Sequence, residues 1–217
     1  MTAAPVAILF DWDNTLIDGW AAIQSGLNTT FAAFGMPPWT REMVLANVRK
    51  SLRDSFPEYF GTEWERARDI FYDAVRATHL EVIRPLPESV AMLDALAHLP
   101  LGVVSNKQGP LLRTEAGHLG WDARFRALIG AGDAMADKPS GLPLHLCLSR
   151  MGLRAGREVW YVGDTAIDMQ AARSAGCTAV LLGDAAHDGG VESVAPDMHF
   201  AGGSALARWV QALDKQG

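Results

Sequence analysis

A continuous apolar run, Val6-Ala7-Ile8-Leu9-Phe10, stops at Asp11-Trp12-Asp13-Asn14-Thr15. Side chains alternate along an extended backbone, so Asp11 and Asp13 fall on one side. Two crowded carboxylates repel unless a cation or a shared proton relieves them, although solvated acids in turns are also common after strands. A second apolar run, residues 101–104, leads into Ser105-Asn106-Lys107, and a third, 159–162, leads into Gly163-Asp164 with Asp168 four residues on. Each has an ordinary explanation, a helix cap for Ser105 and acids favoured by a helix dipole for Asp164 and Asp168. Lys138 lies in Asp137-Lys138-Pro139, just before a helix expected over 141–151. Together, four carboxylates, a hydroxyl and a lysine suit Mg2+ with a phosphoryl group: hard cations take oxygen ligands, and the remaining donors suit phosphate oxygens.

These residues meet only if the strands carrying them lie side by side. Short apolar runs at 6–10, 101–104, 127–129, 159–162 and 179–182 alternate with helix-compatible segments, the pattern of βαβ units. The expected fold is therefore α/β, a Rossmann-like parallel sheet core with helices on both faces. In open sheets of this kind ligands bind at the carboxyl ends of strands, the edge to which three strands deliver Asp11, Ser105 and Asp164. Between about 19 and 84 strand-like runs vanish, and Trp, Phe, Leu and Arg recur at helical spacing with breaks at Pro37-Pro38, Pro57 and Gly61. This predicts an inserted all-helical domain at 19–84 and a discontinuous core at 1–18 and 85–217. Pro85 and Pro87 close the insertion ahead of a helix at 88–98, and 203–213 is patterned as an amphipathic covering helix.

Composition narrows the partners. The 217 residues are 49% hydrophobic and 20% charged, enough to bury a core without disulfide or structural metal. With 19 basic and 25 acidic residues the formal charge is −6, so no general attraction to nucleic acid or anionic membrane is expected. The apolar runs fall far short of the roughly 20 residues of a membrane span, and the amino end lacks the basic region of a signal peptide. Cys147 and Cys177 form no paired or metal-binding motif, which suits a reducing compartment and predicts the cytoplasm. Oligomeric state is not legible here.

The ordered set Asp-x-Asp-x-Thr at 11–15, strand-Ser-Asn at 103–106, Lys138-Pro139, and Gly-Asp-x-x-x-Asp at 163–168 with its continuation to Gly176 resembles the four motifs of the haloacid dehalogenase-like hydrolase superfamily. The helical insertion resembles the cap of its phosphoglycolate phosphatase-like subgroup. The resemblance implies a Mg2+-dependent phosphatase of a small phosphorylated metabolite, acting through an aspartyl-phosphate. Asp11 would be the nucleophile and Asp13 the general acid and base. Ser105, the backbone at Asn106, and Lys138 would hold the phosphate oxygens. Mg2+ would sit on the carboxylates of Asp11 and Asp164 and the backbone carbonyl of Asp13, with Asp168 and Thr15 behind them as orienting groups. The stretch 47–54 resembles a substrate-specificity loop, so Arg49, Lys50 and Arg53 are either contacts to a second anionic group of the substrate or a solvated basic helix end.

Two positions depart from the family pattern. Asn14 replaces the usual Gly, but Asn tolerates a left-handed backbone. Trp12 is bulkier than the usual aliphatic residue, and alternation points it away from the acids into packing. A halide-releasing dehalogenase would have no use for Asp13, Asp164 and Asp168. A sugar-phosphate phosphomutase would use the same catalytic set, and a phosphonate-cleaving relative would need a cap lysine, for which Lys50 is the only candidate. From another class, a non-enzymatic phosphate-binding or phosphoacceptor protein also pairs acids with Ser/Thr, Lys and Mg2+, but bacterial receiver domains lack a helical cap and are about half this length.

Overall fold

The structure is a computed structural model that describes residues 4–48 and 52–215, of which 52–54 by their backbone alone. The strands are β1 (Ala7–Phe10), β2 (Leu101–Gln108), β3 (Ala127–Ala131), β4 (Val159–Gly163), β5 (Thr178–Leu182) and β6 (Met198–Phe200). The helices are α1 (Trp20–Ala33), α2 (Arg41–Asn47), α3 (Leu52–Phe60), α4 (Trp64–Val82), α5 (Ser89–Ala95), α6 (Gly109–His118), α7 (Leu142–Arg150), α8 (Ala166–Ala175), α9 (Val191–Val194) and α10 (Gly203–Asp214).

All six strands join one parallel sheet in the order β3-β2-β1-β4-β5-β6. The order explains the composition of β1. It lies in the middle, all four of its residues are fully buried, and a strand covered on both faces needs no polar alternation. Ala7 and Leu9 enter a core with Leu144 and Leu148 of α7 and Met169 and Ala172 of α8. Ile8 and Phe10 point to the opposite face and are equally buried, so both faces are covered.

Register sets the working edge. Phe10 lies level with Val103 of β2 and with Val162 of β4, and the Asp11 N–H donates to the Val162 carbonyl at 2.8 Å. Asp11, Ser105 and Asp164 therefore leave three adjacent strands within two residues of the same level. After Asp11 the chain doubles back. The N–H groups of Leu16 and Ile17 donate to the Trp12 carbonyl and that of Asn14 to the Ile17 carbonyl, with Asn14 at φ 63°, the left-handed conformation expected of it.

Differences from the sequence reading are local. β2 runs on to Gln108 instead of ending at Val104, because its polar tail pairs again with β3 beyond an irregularity between Val104 and Gln108. β6 was not expected: Met198-His199-Phe200 is too short and too mixed to stand out. The helix expected over 88–98 is regular only over Ser89–Ala95, after which residues 96–99 tighten into turns closed by Ala97 N–H to Asp94 and Leu99 N–H to Leu96.

The chain divides into two compact units, Met1–Ile17 with Pro85–Gly217, and Asp18–Arg84. The second is helical and built on α1 against α4. Phe31 of α1 stacks near Trp39 and Phe60 at 4.8 and 6.0 Å between ring centroids, and Phe56 packs edge-on against Phe71 of α4.

Candidate active site

The amino group of Lys138 lies at the centre of the edge. Its Nζ donates to Asp11 Oδ1 at 2.6 Å, to Asp168 Oδ1 at 2.7 Å and to the Tyr161 hydroxyl at 2.8 Å. All four residues are buried. The Tyr161 hydroxyl in turn lies 2.8 Å from the Val104 carbonyl and donates to it. Asn106 fixes the backbone of the lysine reciprocally: its Nδ2 donates to the Lys138 carbonyl and its Oδ1 accepts from the Lys138 N–H, both at 3.0 Å. The buried Ser105 hydroxyl accepts from the Lys107 N–H at 3.1 Å.

Asp168 sits in the first turn of α8 and closes a capping box. Its Oδ2 accepts from the Thr165 N–H at 3.1 Å and from the Thr165 hydroxyl at 2.6 Å. The acid thus has a local role at the helix start, and the side chain also bonds Lys138. Asp164 differs: its hydrogen bond comes from the Thr15 hydroxyl at 3.1 Å, and it pairs with no cation among the described residues.

The electrostatics follow from burial and partners. Burial pushes Asp11 up to about 7 from 3.8, against the opposing pull of Lys138. Burial raises Asp164 well above its ordinary value, and the charges of Asp168 and Asp11 add to this. Burial also raises Asp168, but the ammonium of Lys138 and the bonds from Thr165 outweigh it, so its carboxyl is held below the usual range. Lys138 loses from burial and gains more from Asp11 and Asp168, which keep it protonated.

Asp11, Asp164 and Asp168 each offer a carboxylate oxygen, all within 4.8 Å of one another. Fully deprotonated, three carboxylates against one ammonium would carry an excess of two negative charges, and the raised proton affinities of Asp11 and Asp164 are the cost of burying and crowding them without a further cation. An all-oxygen donor set with that excess fits a hard divalent cation. The Asp13 side chain bonds a different cation, its Oδ1 accepting from Lys107 Nζ at 2.8 Å, while its charge still bears on Asp11. Burial raises its proton affinity, and Lys107 opposes the rise.

The described region thus brings together Asp11, Asp13, Thr15, Ser105, Asn106, Lys138, Asp164 and Asp168. Arg49, Lys50 and the side chain of Arg53 lie outside the described residues. Trp12 packs as expected, edge-on to Trp121 and Phe125 at 5.8 and 6.4 Å, and its indole N–H also donates to Glu115 Oε2 at 2.7 Å. Three residues escaped the sequence reading. Tyr161 hid inside an apolar run. Lys107 followed the Ser-Asn pair without an assigned part. Glu115 left a usable signal, a charge three and four residues after Leu112 and Leu111 on the buried stripe of α6.

A family model described as haloacid dehalogenase-like hydrolase matches residues 8–182. The chain belongs to this family. It is similar to the phosphoglycolate phosphatase of Chromobacterium violaceum, 32% identical over 189 residues that cover 82% of this chain and 84% of that one. The phosphoglycolate phosphatase of Xylella fastidiosa strain 9a5c is 34% identical over 186 residues, covering 82% and 80%. Among solved structures, a haloacid dehalogenase-like hydrolase of Streptococcus pneumoniae superposes with a TM-score of 0.84 at 22% identity, covering 96% of this chain and 99% of that one. A predicted phosphoglycolate phosphatase of Haemophilus somnus gives 0.82 at 21% identity, covering 95% and 98%. These two likenesses show the fold, a Rossmann-like parallel sheet with helices.

Proposed function

We propose that this family member is a Mg2+-dependent phosphatase of small phosphomonoesters, with a core at 1–18 and 85–217 and a cap domain at 19–84. One observation carries the reading: a buried cluster of three carboxyl groups, Asp11, Asp164 and Asp168, around the single ammonium of Lys138 at the carboxyl edge of the sheet. The curated relatives named phosphoglycolate phosphatase favour phosphoglycolate or a short sugar phosphate as substrate. The buried free cysteines suit the cytoplasm as its place.

In this reading an oxygen of Asp11 attacks phosphorus. The bond from phosphorus to the ester oxygen breaks with its electron pair on that oxygen, and Asp13 supplies the proton that makes it a neutral alcohol. The Asp13 carboxylate then takes a proton from water as the water oxygen attacks phosphorus, and phosphate leaves Asp11 unchanged. Lys138, Ser105 and the backbone N–H at Asn106 hold the non-bridging oxygens, and Lys138 also keeps the Asp11 oxygen directed. The carboxylates of Asp11 and Asp164 with the Asp13 carbonyl would hold Mg2+, and Asp168 and Thr15 would orient them. Bound there, Mg2+ supplies charge neutralisation that lets an anionic carboxylate approach an anionic phosphate.

Phosphate release from phosphoglycolate, hexose phosphates, nucleotides and an aryl phosphate, with Mg2+ and after chelation, tests this. The expected outcome is release that disappears on chelation and returns with Mg2+, strongest for a small alkyl phosphate. Folded, Mg2+-supplied protein that releases phosphate from none of them would overturn the reading.

A further inference from the structure

A buried polar chain runs beside the site. The Trp12 indole N–H donates to Glu115 Oε2 at 2.7 Å, and Lys107 Nζ donates to Glu115 Oε1 and Oε2 at 2.9 and 2.7 Å and to Asp13 Oδ1 at 2.8 Å. The Lys107 side chain is 11% exposed, Glu115 1% and Asp13 22%. A solvated lysine would leave its ammonium in water and sample many rotamers; this one is held between two carboxylates from different elements. Each member is anchored. Trp12 is wedged edge-on against Trp121 and Phe125, Glu115 lies on the buried stripe of α6, and the Lys107 N–H is tied to the Ser105 hydroxyl.

We propose that Lys107 is a positioning residue for Asp13, backed by Glu115 and Trp12, fixing the carboxyl group at Oδ1 so that Oδ2 faces the ester oxygen that must be protonated. This rests on the reading of Asp13 as the acid that completes departure of the alcohol. The ammonium of Lys107 touches no reacting atom in this scheme. Its contribution is orientation: a carboxyl group free to rotate spends most of its time unable to reach the leaving oxygen.

The consequence is specific to the leaving group. An alkoxide needs a proton to leave, whereas the phenolate of 4-nitrophenyl phosphate does not. kcat/KM covers only the steps up to alcohol release, so it isolates this proton. Lys107→Met is expected to lower kcat/KM for phosphoglycolate about 10- to 100-fold, part of the roughly 10²–10⁴-fold that general acid catalysis supplies because the acid itself remains, and for 4-nitrophenyl phosphate less than about 3-fold. Lys107→Arg should recover part of the loss. Asp13→Asn, run in parallel, should show the same selectivity more strongly. If loss of Lys107 leaves Glu115 too poorly paired to fold, the double variant Lys107→Met with Glu115→Gln removes both buried charges and should keep the selectivity. Equal losses on both substrates, or no loss, in a folded Lys107 variant while Asp13→Asn stays selective would overturn the positioning role alone. An Asp13→Asn variant with no such selectivity would overturn the role of Asp13 and this proposal with it.

Discussion

Asp164 and Asp168 lie four residues apart and are both buried, yet their environments pull them in opposite directions. Asp168 is bonded by Lys138 and Thr165, whereas Asp164 has the Thr15 hydroxyl and the like charges of Asp168 and Asp11. The metal-free chain should register this as a pH dependence. Asp11 rises from 3.8 to about 7, so across that window the folded chain holds a proton that the unfolded chain has lost, and stability falls as pH rises. Asp164 acts in the same direction; Asp168, held low, acts only below its ordinary value. In the proposed site Mg2+ binds these carboxylates in their deprotonated form, so the stabilisation it would give grows with pH. Thermal unfolding should show a larger rise in Tm from saturating Mg2+ at about pH 8 than at about pH 5.5. Equal rises would mean that these acids do not hold the ion. At this scale the sequence exposed the residues that end strands, because an acid after an apolar run is conspicuous. It did not expose Lys107, Glu115 or Tyr161, whose significance arises only from partners 94, 8, 103 and 23 positions away.

Elements position these side chains through register, and register depends here on close backbone approach. A Cβ on Gly130 of β3 would lie 2.6 Å from both the Gly109 nitrogen and the Lys107 carbonyl oxygen, backbone atoms that cannot swing aside. Gly130→Ala should therefore destabilise the protein by about 1–3 kcal/mol, the usual range for overpacking, measured as a lower urea midpoint with unchanged slope. An unchanged midpoint would show that the β2–β3 edge yields. The five strands marked by apolar runs were legible because burial on both faces removes polar residues from them. β6 and the tail of β2 were not, since backbone pairing, rather than side-chain pattern, makes them strands. The long helices of the insertion were legible from periodicity, while the early end of α5 depends on turn bonds that leave no compositional trace.

At the scale of the whole chain, a formal charge of −6 gives an anionic substrate no general attraction, so recognition has to be local. The parallel order β3-β2-β1-β4-β5-β6 makes it local by bringing β2, β1 and β4 side by side, although the candidate site residues at their ends come from positions 11, 105 and 164. Spacing along the chain could not show that proximity; the alternation of strand and helix could, because parallel neighbours joined by helical crossovers all end at one edge. The account stands or falls on Asp11 as the group that takes the phosphoryl. The most direct measurement is the mass of the protein quenched in acid during turnover of phosphoglycolate with Mg2+, followed by mapping of the modified peptide. The account predicts one phosphoryl group on Asp11, absent from an Asp11→Asn variant that folds but no longer turns over. A phosphoryl group on another residue, or turnover that survives Asp11→Asn, would contradict it.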